Sequence, residues 1–186
     1  PPFLVRAMLE ESLGWERLDR LHARDEVILD PSCGSGVFLV EAYKRLILHW
    51  RSCNNWRHPS VADLRTLLQK VHGVDIEDGA IELAAFSLCL ALCDALDPET
   101  IRRSKKLFPA LLENTLHSGC FFEAKDSDLL PKRVGAVVGN PPFHSRLTTS
   151  GARLSYSRYT AAFGKLSDNQ LAYLFLHECT DLLTSG

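Results

Sequence analysis

The tetrad Asn140-Pro141-Pro142-Phe143 is the stretch of this chain whose residue types most clearly suit chemistry. It follows the apolar run 134–138, which predicts a buried strand. The Asn140 side-chain oxygen and the Pro141 carbonyl can each accept a hydrogen bond from one planar amino group, and the Phe143 ring can stack on the group that carries it. The tetrad therefore indicates a site that binds an exocyclic amine.

A glycine-containing turn between a predicted strand and a predicted helix is the second informative stretch. Its residues are Asp30, Pro31, Ser32, Cys33, Gly34, Ser35 and Gly36. Gly34 and Gly36 let the backbone approach a ligand closely, and a helix start offers free N–H groups to an anionic ligand. A dinucleotide fingerprint would need a small residue where Leu39 stands, and a phosphate loop would need Gly-Lys-Ser/Thr. NAD and FAD are thus disfavoured, and the two stretches together indicate methyl transfer to an exocyclic amine.

Short apolar runs that alternate with helical patterns would position both stretches. Strands are predicted at 27–29, 71–76, 114–117 and 134–138, and helices at 3–13, 36–50, from Ser60 onward, 78–96, 98–107 and 167–183. This alternation predicts an α/β fold with a doubly wound, mainly parallel sheet that is covered on both sides. Ser60 and Asp63 are expected to cap their helix. The long helix 78–96 is expected to be largely buried, and the polar segment 144–166 to form a mobile loop.

Composition excludes several classes of protein. A chain of 186 residues with 46% hydrophobic residues can form one good core, and a net charge of −2 gives no global attraction to nucleic acid. The six cysteines have no spacing typical of zinc, so no metal is expected and a reducing, cytoplasmic location is predicted. No apolar run is long enough to span a membrane.

The two stretches together resemble the S-adenosylmethionine-dependent N6-adenine DNA methyltransferases of restriction-modification systems. The resemblance is to the subclass in which the cofactor turn precedes the Asn-Pro-Pro-aromatic motif, and it covers nearly all of the chain. It implies a Rossmann-like fold, in which Asp30 and Asn140 are expected to face one crevice where the strand order reverses. It also implies methyl transfer to the N6 amine of adenine in double-stranded DNA. A complete sheet of this type has more strands, so residues 1–186 are expected to be the N-terminal part of the catalytic domain, without the target-recognition domain and inactive in isolation.

The resemblance implies a cofactor site made of three motifs. In the second motif, an acidic residue accepts both ribose hydroxyls, and Asp75 matches it. The third motif usually contains Gly-Asp, whereas Cys120 stands here and its sulfur is a poor acceptor. The adenine of the cofactor would then rely on backbone groups or on Asp126, with Phe121 stacking on it. The implied cofactor-binding residues are Asp30, Pro31, Ser32, Cys33, Gly34, Gly36, Asp75, Ile76, Cys120 and Phe121.

The same resemblance implies catalytic residues and a DNA-binding segment. Asn140, Pro141, Pro142 and Phe143 would hold an adenine that is flipped out of the duplex, and positioning would supply the rate. Residues 144–167 contain no acidic residue. The cations expected to contact DNA there are Arg146, Arg153, Arg158 and Lys165, although an ordinary solvated loop explains them equally well. Residues 168–170 resemble a further motif, to which no catalytic role is assigned.

Two other functions remain open from the sequence. One is an amino methyltransferase that acts on a protein glutamine or an RNA base, although such enzymes tend to have Asp-x-Gly-x-Gly-x-Gly at the first turn. The other is a non-catalytic nucleic-acid-binding remnant of the fold, which Cys120 favours. The resemblance also implies a specificity or nuclease module in the full-length protein.

Overall fold

The computed structural model describes residues 2–104, 106–143, 146–166 and 171–184. Within these ranges a parallel sheet of four strands forms the centre of the fold, in the order β3-β2-β1-β4. The strands are β1 (Val27–Asp30), β2 (Val71–Asp75), β3 (Leu116–Ser118) and β4 (Val134–Val137). The predicted α/β fold with a parallel sheet is therefore confirmed.

The strand order reverses at β1, which lies between β2 and β4. Asp30 of β1 is in register with Gly73 of β2, and Leu29 is in register with Val137 of β4. Parallel strands end at the same edge of the sheet, and ligands of such folds bind where the strand order reverses. The loops that follow β1, β2 and β4 therefore meet at this edge.

Ten helices surround the sheet in the described ranges. They are α1 (Pro2–Ser12), α2 (Trp15–Ala23), α3 (Val37–Cys53), α4 (Val61–Leu68), α5 (Asp78–Asp94), α6 (Pro98–Arg103), α7 (Leu111–Asn114), α8 (Phe121–Asp126), α9 (Ser150–Phe163) and α10 (Leu171–Thr180). The predicted cap of α4 is confirmed, since Ser60 and Asp63 form a reciprocal capping box. Residues 168–170, which the sequence assigns to a further motif, lie outside the described residues.

Two apolar cores lie on opposite faces of the sheet. Successive side chains of a strand point to opposite faces, so Ile28 belongs to one core and Leu29 to the other. The core on the Ile28 side contains the buried faces of α1 to α5 and the side chain of Tyr43. The core on the Leu29 side contains Phe121 and Phe175, which belong to α8 and α10. Both faces are covered, as a parallel sheet requires.

The expected loop at 144–166 is wrong, because residues 150–163 form helix α9. The Thr149 side chain caps this helix by accepting a hydrogen bond from the Ala152 amide. Gly151 packs against α8 so closely that a Cβ there would lie 2.5 Å from the Cγ of Glu123. The polar composition suggested a loop, but small residues at 151, 152 and 155 provide a buried face.

Three further helices and one burial pattern differ from expectation. Helices α2, α7 and α8 were not predicted, because each is short and offers too few apolar residues for a clear helical pattern. Asn114 ends α7, so the strand expected at 114–117 begins at Leu116 instead. Helix α5 is not largely buried, since Leu83, Phe86 and Leu90 are exposed on its outer face. No helix in the described part of the chain is long and apolar enough to cross a membrane.

Candidate active site

The turn after β1 is built around the buried carboxyl group of Asp30. Its Oδ1 accepts a hydrogen bond from the Ser32 amide at 3.1 Å, while Oδ2 is buried and has no hydrogen-bond partner among the described residues. Burial raises the pKa of Asp30 to about 7, against the opposing effect of the Ser32 amide. Burial also raises the pKa of the Cys33 thiol above its ordinary range, so this thiol stays protonated at neutral pH.

The loop after β4 lies directly against Asp30. Gly139 has a φ of 153°, and a Cβ at this position would be 2.5 Å from Oδ1 of Asp30. Only glycine therefore lets the chain pass this close to the carboxyl group. Asn140, the first residue of the tetrad, follows immediately, so the contact places the tetrad beside the turn.

Asp75, at the end of β2, connects the turn to the second strand. Its Oδ2 accepts a hydrogen bond from the Gly34 amide at 2.8 Å, and its Oδ1 accepts one from the Glu77 amide at 3.1 Å. The Cys33 amide also donates to the Val74 carbonyl at 2.9 Å. Each carboxylate oxygen has two lone pairs, so Asp75 retains capacity to accept hydrogen bonds from a ligand.

A cavity of about 300 Å³ opens between these loops. The predicted site residues that line it are Pro31, Ser32, Asp75, Ile76, Cys120, Phe121, Asn140 and Pro142. The structure thus brings together residues from all four motifs, which are up to 111 positions apart in the printed sequence (31 to 142). The expectation that the two motif loops face one crevice agrees with this geometry.

The other predicted site residues lie beside the cavity without lining it. Asp30, Cys33, Gly34 and Gly36 form the turn behind it, and Gly36 lets α5 approach, since a Cβ there would be 3.0 Å from the Cβ of Ala84. Pro141 is half-buried beside the cavity, and the Phe143 side chain is 73% exposed outside it. A ring in this position is accessible to a ligand that arrives from solvent.

The third-motif segment makes contacts of its own within the cavity wall. The Cys120 sulfur lies 3.0 Å from the hydroxyl oxygen of Thr149. Phe121 is buried and stacks on Phe175, with ring centroids 5.2 Å apart. Asp126 does not line the cavity, because it forms an ion pair with Arg158 at 2.8 Å. This placement disfavours the alternative in which Asp126 replaces the missing acceptor.

Helices α9 and α10 contribute a wall of the cavity that the sequence did not predict. Ala152 belongs to α9, Leu171 and Phe175 belong to α10, and Thr148 and Thr149 directly precede α9. The sequence also missed Gly119 and Phe122, which line the cavity beside Cys120 and Phe121. A signal for the start of α9 was present, since Thr149 precedes a run of small and helix-compatible residues and a threonine there is a favourable N-cap. The polar character of 144–166 outweighed it.

The four predicted DNA-binding cations have different surroundings. Arg153 donates hydrogen bonds to the carbonyls of Leu147 and Thr148, and Arg158 pairs with Asp126. Both arginines lie on α9, and both pairings are exposed. Arg146 and Lys165 are exposed and form no salt bridge with any residue that the structure describes. Two of the four predicted cations are thus paired within the described chain, and the other two are exposed without a salt bridge there.

Comparison with protein families assigns the chain. The family model described as "MmeI, DNA-methyltransferase domain" matches residues 10–174. The chain belongs to the MmeI DNA-methyltransferase family. The matched range includes the turn at 30–36, Asp75, Cys120 and the tetrad. All candidate site residues of this MmeI-family chain therefore lie within the part that matches the family.

Curated relatives of this MmeI-family chain are much longer proteins. A putative type II restriction enzyme and methyltransferase of Methanocaldococcus jannaschii is 34% identical over 115 residues, which is 60% of this chain and 9% of that protein. An adenine-specific methyltransferase, PglX of Streptomyces coelicolor, is 28% identical over 74% of this chain and 14% of that protein. The chain thus spans less than a fifth of the curated relatives that it matches here.

Solved structures share the fold. The type IIL restriction-modification enzyme MmeI in complex with DNA matches 97% of this chain and 26% of that chain, with 21% identity and a TM-score of 0.57. The DrdV–DNA complex matches 100% of this chain and 19% of that chain, with 18% identity and a TM-score of 0.61. At these identities the matches show the fold of this MmeI-family chain.

Proposed function

We propose that this chain forms the core of an enzyme that transfers a methyl group from S-adenosylmethionine to the N6 amine of adenine in DNA, within a restriction-modification system. The observation that carries the proposal is one cavity lined both by Asp75 and Ile76 and by Asn140 and Pro142. A methyl donor and an amine acceptor must occupy adjacent volumes, because the methyl group passes directly between them. The family assignment supports the same reaction class.

The cofactor end of the cavity has a donor and acceptor set that fits S-adenosylmethionine. Asp75 offers carboxylate oxygens for neighbouring ribose hydroxyls, and the apolar surfaces of Ile76 and Phe121 suit an adenine ring. The Ser32 hydroxyl is buried without a partner in the described residues, so a ligand in the cavity could satisfy it. When bound, the cofactor supplies an electrophilic methyl group on a sulfonium.

The amine end consists of the tetrad. The Asn140 side-chain oxygen and the Pro141 carbonyl would each accept one hydrogen of the adenine amine, and the exposed Phe143 ring would stack on the flipped base. These hydrogen bonds favour a more tetrahedral nitrogen with a localised lone pair. The proton becomes acidic after methyl transfer, so the tetrad acts by positioning and by electrostatics and needs no strong base beforehand.

We infer the remaining partners and modules from the same proposal. The chain would be the N-terminal part of a catalytic domain that binds double-stranded DNA with one adenine flipped out, with the target-recognition domain elsewhere in the protein. Arg146 and Lys165, which are exposed, are the cations that we expect to contact phosphate. Two relatives are named as both restriction enzyme and methyltransferase, which supports an additional nuclease or specificity module.

The test is transfer of a tritiated methyl group by the full-length protein. Unmethylated genomic DNA, a release-factor protein and RNA are offered separately, and the labelled product is hydrolysed and identified. The proposal expects label in N6-methyladenine of DNA. Label in glutamine or in an RNA base would support the alternative amino methyltransferase, and absence of both label and S-adenosylmethionine binding would support the non-catalytic remnant.

A further inference from the structure

We propose that Asp19, His49 and Cys53 form a zinc-binding site outside the candidate active site. One donor atom from each side chain lies within 4.8 Å of the other two. His49 Nε2 is 2.8 Å from Oδ1 of Asp19 and 3.8 Å from Sγ of Cys53. A thiolate, an imidazole and a carboxylate are together the donor types that bind zinc in proteins.

The helices hold these three side chains in place. His49 and Cys53 are four residues apart on α3, so both lie on the same face of that helix. Asp19 comes from α2, which packs across α3. The Trp15 ring stacks on the His49 ring, with centroids 5.7 Å apart and an interplanar angle of 28°, and this contact limits rotation of the imidazole.

Two of the three donor separations are close to those around a tetrahedral ion, and the third, between Asp19 and Cys53, is within 4.8 Å. Bonds of about 2.0 Å to nitrogen and oxygen and about 2.3 Å to sulfur place the donor atoms roughly 3.3–3.7 Å apart around zinc. The observed 3.8 Å between His49 Nε2 and Cys53 Sγ is already close to this range. The 2.8 Å contact with Asp19 must open by roughly half an ångström, which is easy because the Asp19 side chain is 66% exposed.

The site has access and suitable charge. His49 and Cys53 line a second cavity of about 420 Å³, which would admit the ion and a water molecule as fourth ligand. The other titratable groups that line this cavity are His22, Asp25, Glu26, Asp63 and Lys70, and Lys70 is paired with Asp25. A deprotonated cysteine and an aspartate would neutralise the two charges of zinc.

This site would act on stability and not on methyl transfer. The two cavities share no lining residue among those that the structure describes. Ile28 lines this cavity, whereas Pro31 and Ser32, beyond the other end of β1, line the candidate active site. Zinc would therefore connect α2 to α3 and stabilise the folded state by binding it preferentially. Without metal, Asp19 and His49 form an ordinary hydrogen bond. A metal titration distinguishes the zinc site from this hydrogen bond.

Cobalt and zinc titration of the chelator-treated full-length protein tests the proposal. The wild type should bind one additional equivalent of Co²⁺ with a thiolate-to-cobalt charge-transfer band, and zinc should displace it and raise the melting temperature. Cys53→Ser should remove that band and weaken zinc binding at least about tenfold, and Asp19→Asn should weaken it as well. The matched control is Cys93→Ser on α5, which should leave band and affinity unchanged.

Two results would overturn the zinc site. One is a wild type without any thiolate-to-cobalt band, which would leave only the hydrogen bond between Asp19 and His49. The other is a band that persists in Cys53→Ser. S-adenosylmethionine binding is measured on the same variants, and it should be unchanged in Cys53→Ser, so failure of the zinc site is distinguishable from failure of the proposed methyl transfer.

Discussion

The Asp75 carboxylate accepts a hydrogen bond from the Gly34 amide at 2.8 Å, across 41 positions of sequence. This contact joins the loop after β2 to the turn after β1, and the Glu77 amide donates to the other oxygen of the same carboxylate. Asp75 thus has two tasks in the proposed enzyme. It holds the two loops together where it lines the cavity, and it remains able to accept hydrogen bonds from the ribose of the cofactor.

Replacing Asp75 with alanine should weaken S-adenosylmethionine binding by about tenfold to a hundredfold. The reason is the loss of charge-assisted hydrogen bonds, each of which contributes roughly 1.5–3 kcal/mol. Isothermal titration calorimetry of the full-length protein measures the change. Asp94→Ala is the control, because Asp94 is exposed at the end of α5 and away from the cavity. Equal dissociation constants for wild type and Asp75→Ala would refute the assigned role.

Replacing Asn140 with alanine should abolish methyl transfer while S-adenosylmethionine still binds. The variant removes one acceptor for the adenine amine and leaves the cofactor end of the cavity intact. Single-turnover transfer to DNA and calorimetry with the cofactor measure the two effects separately. Asn114→Ala, a change of the same type on an exposed helix residue, should retain activity. Normal turnover by Asn140→Ala would remove the tetrad from the reaction.

Replacing Gly139 with alanine should destabilise the fold by about 1–3 kcal/mol, because the new methyl group would overlap the Asp30 carboxyl group at a positive φ. Urea denaturation measures the loss. Gly79→Ala is the control, since Gly79 lies in α5 with nothing within 4 Å of a new Cβ. That variant should be neutral or stabilising by roughly 0.5–1 kcal/mol. Equal stability of the two variants would contradict the close approach.

Replacing Cys120 with aspartate should tighten S-adenosylmethionine binding. A carboxylate at this cavity position could accept a hydrogen bond from the cofactor adenine amine, which a thiol accepts poorly. The Thr149 hydroxyl, now 3.0 Å from the sulfur, could donate to the same carboxylate and orient it. We expect affinity to rise about tenfold by calorimetry, with Cys120→Ala as the control that adds no acceptor. No gain from aspartate over alanine would show that the adenine end lies elsewhere.

Asp30 and His72 should oppose each other in the pH dependence of stability. Burial raises the pKa of Asp30 from 3.8 to about 7, so the folded state binds the extra proton and stability falls as pH rises through this window. Burial lowers the pKa of His72 from 6.5 to about 4, so the unfolded state binds the extra proton and stability rises with pH there. The two pH-dependent contributions to the free energy of unfolding therefore largely cancel between about pH 4 and pH 6.5, where both groups act.

Asp30→Asn should remove the contribution of Asp30 to the pH dependence of stability and leave that of His72. Relative to wild type, the free energy of unfolding of the variant should increase with pH by up to roughly 1.4 kcal/mol per pH unit between pH 4 and pH 7. Denaturant titrations at several pH values measure this difference. His72→Gln is the complementary control and should change the slope in the opposite direction. A difference between Asp30→Asn and wild type that does not vary with pH would contradict the raised pKa.

Local sequence patterns were sufficient to predict the strands of the central sheet and most of the longer helices. The short, mainly apolar segments 27–29, 71–76 and 134–138 identify β1, β2 and β4. The Ser60–Asp63 pair identifies the start of α4, because helix capping depends on residues close in sequence. The motif residues themselves could likewise be read from the sequence. Their proximity was an expectation that rested on the rule for parallel sheets.

Long-range packing decided what the sequence alone could not. Residues 150–163 are polar in composition, and they form a helix because Gly151 and Ala152 can pack against α8, which lies about 28 positions away. The exposure of apolar residues on α5 and the contact between Asp19 and His49 also depend on how distant helices pack. A sequence pattern shows which face of an element is apolar. It does not show which other element that face packs against, because the hydrophobic effect is not directional and the pairing depends on the burial of all apolar surfaces together.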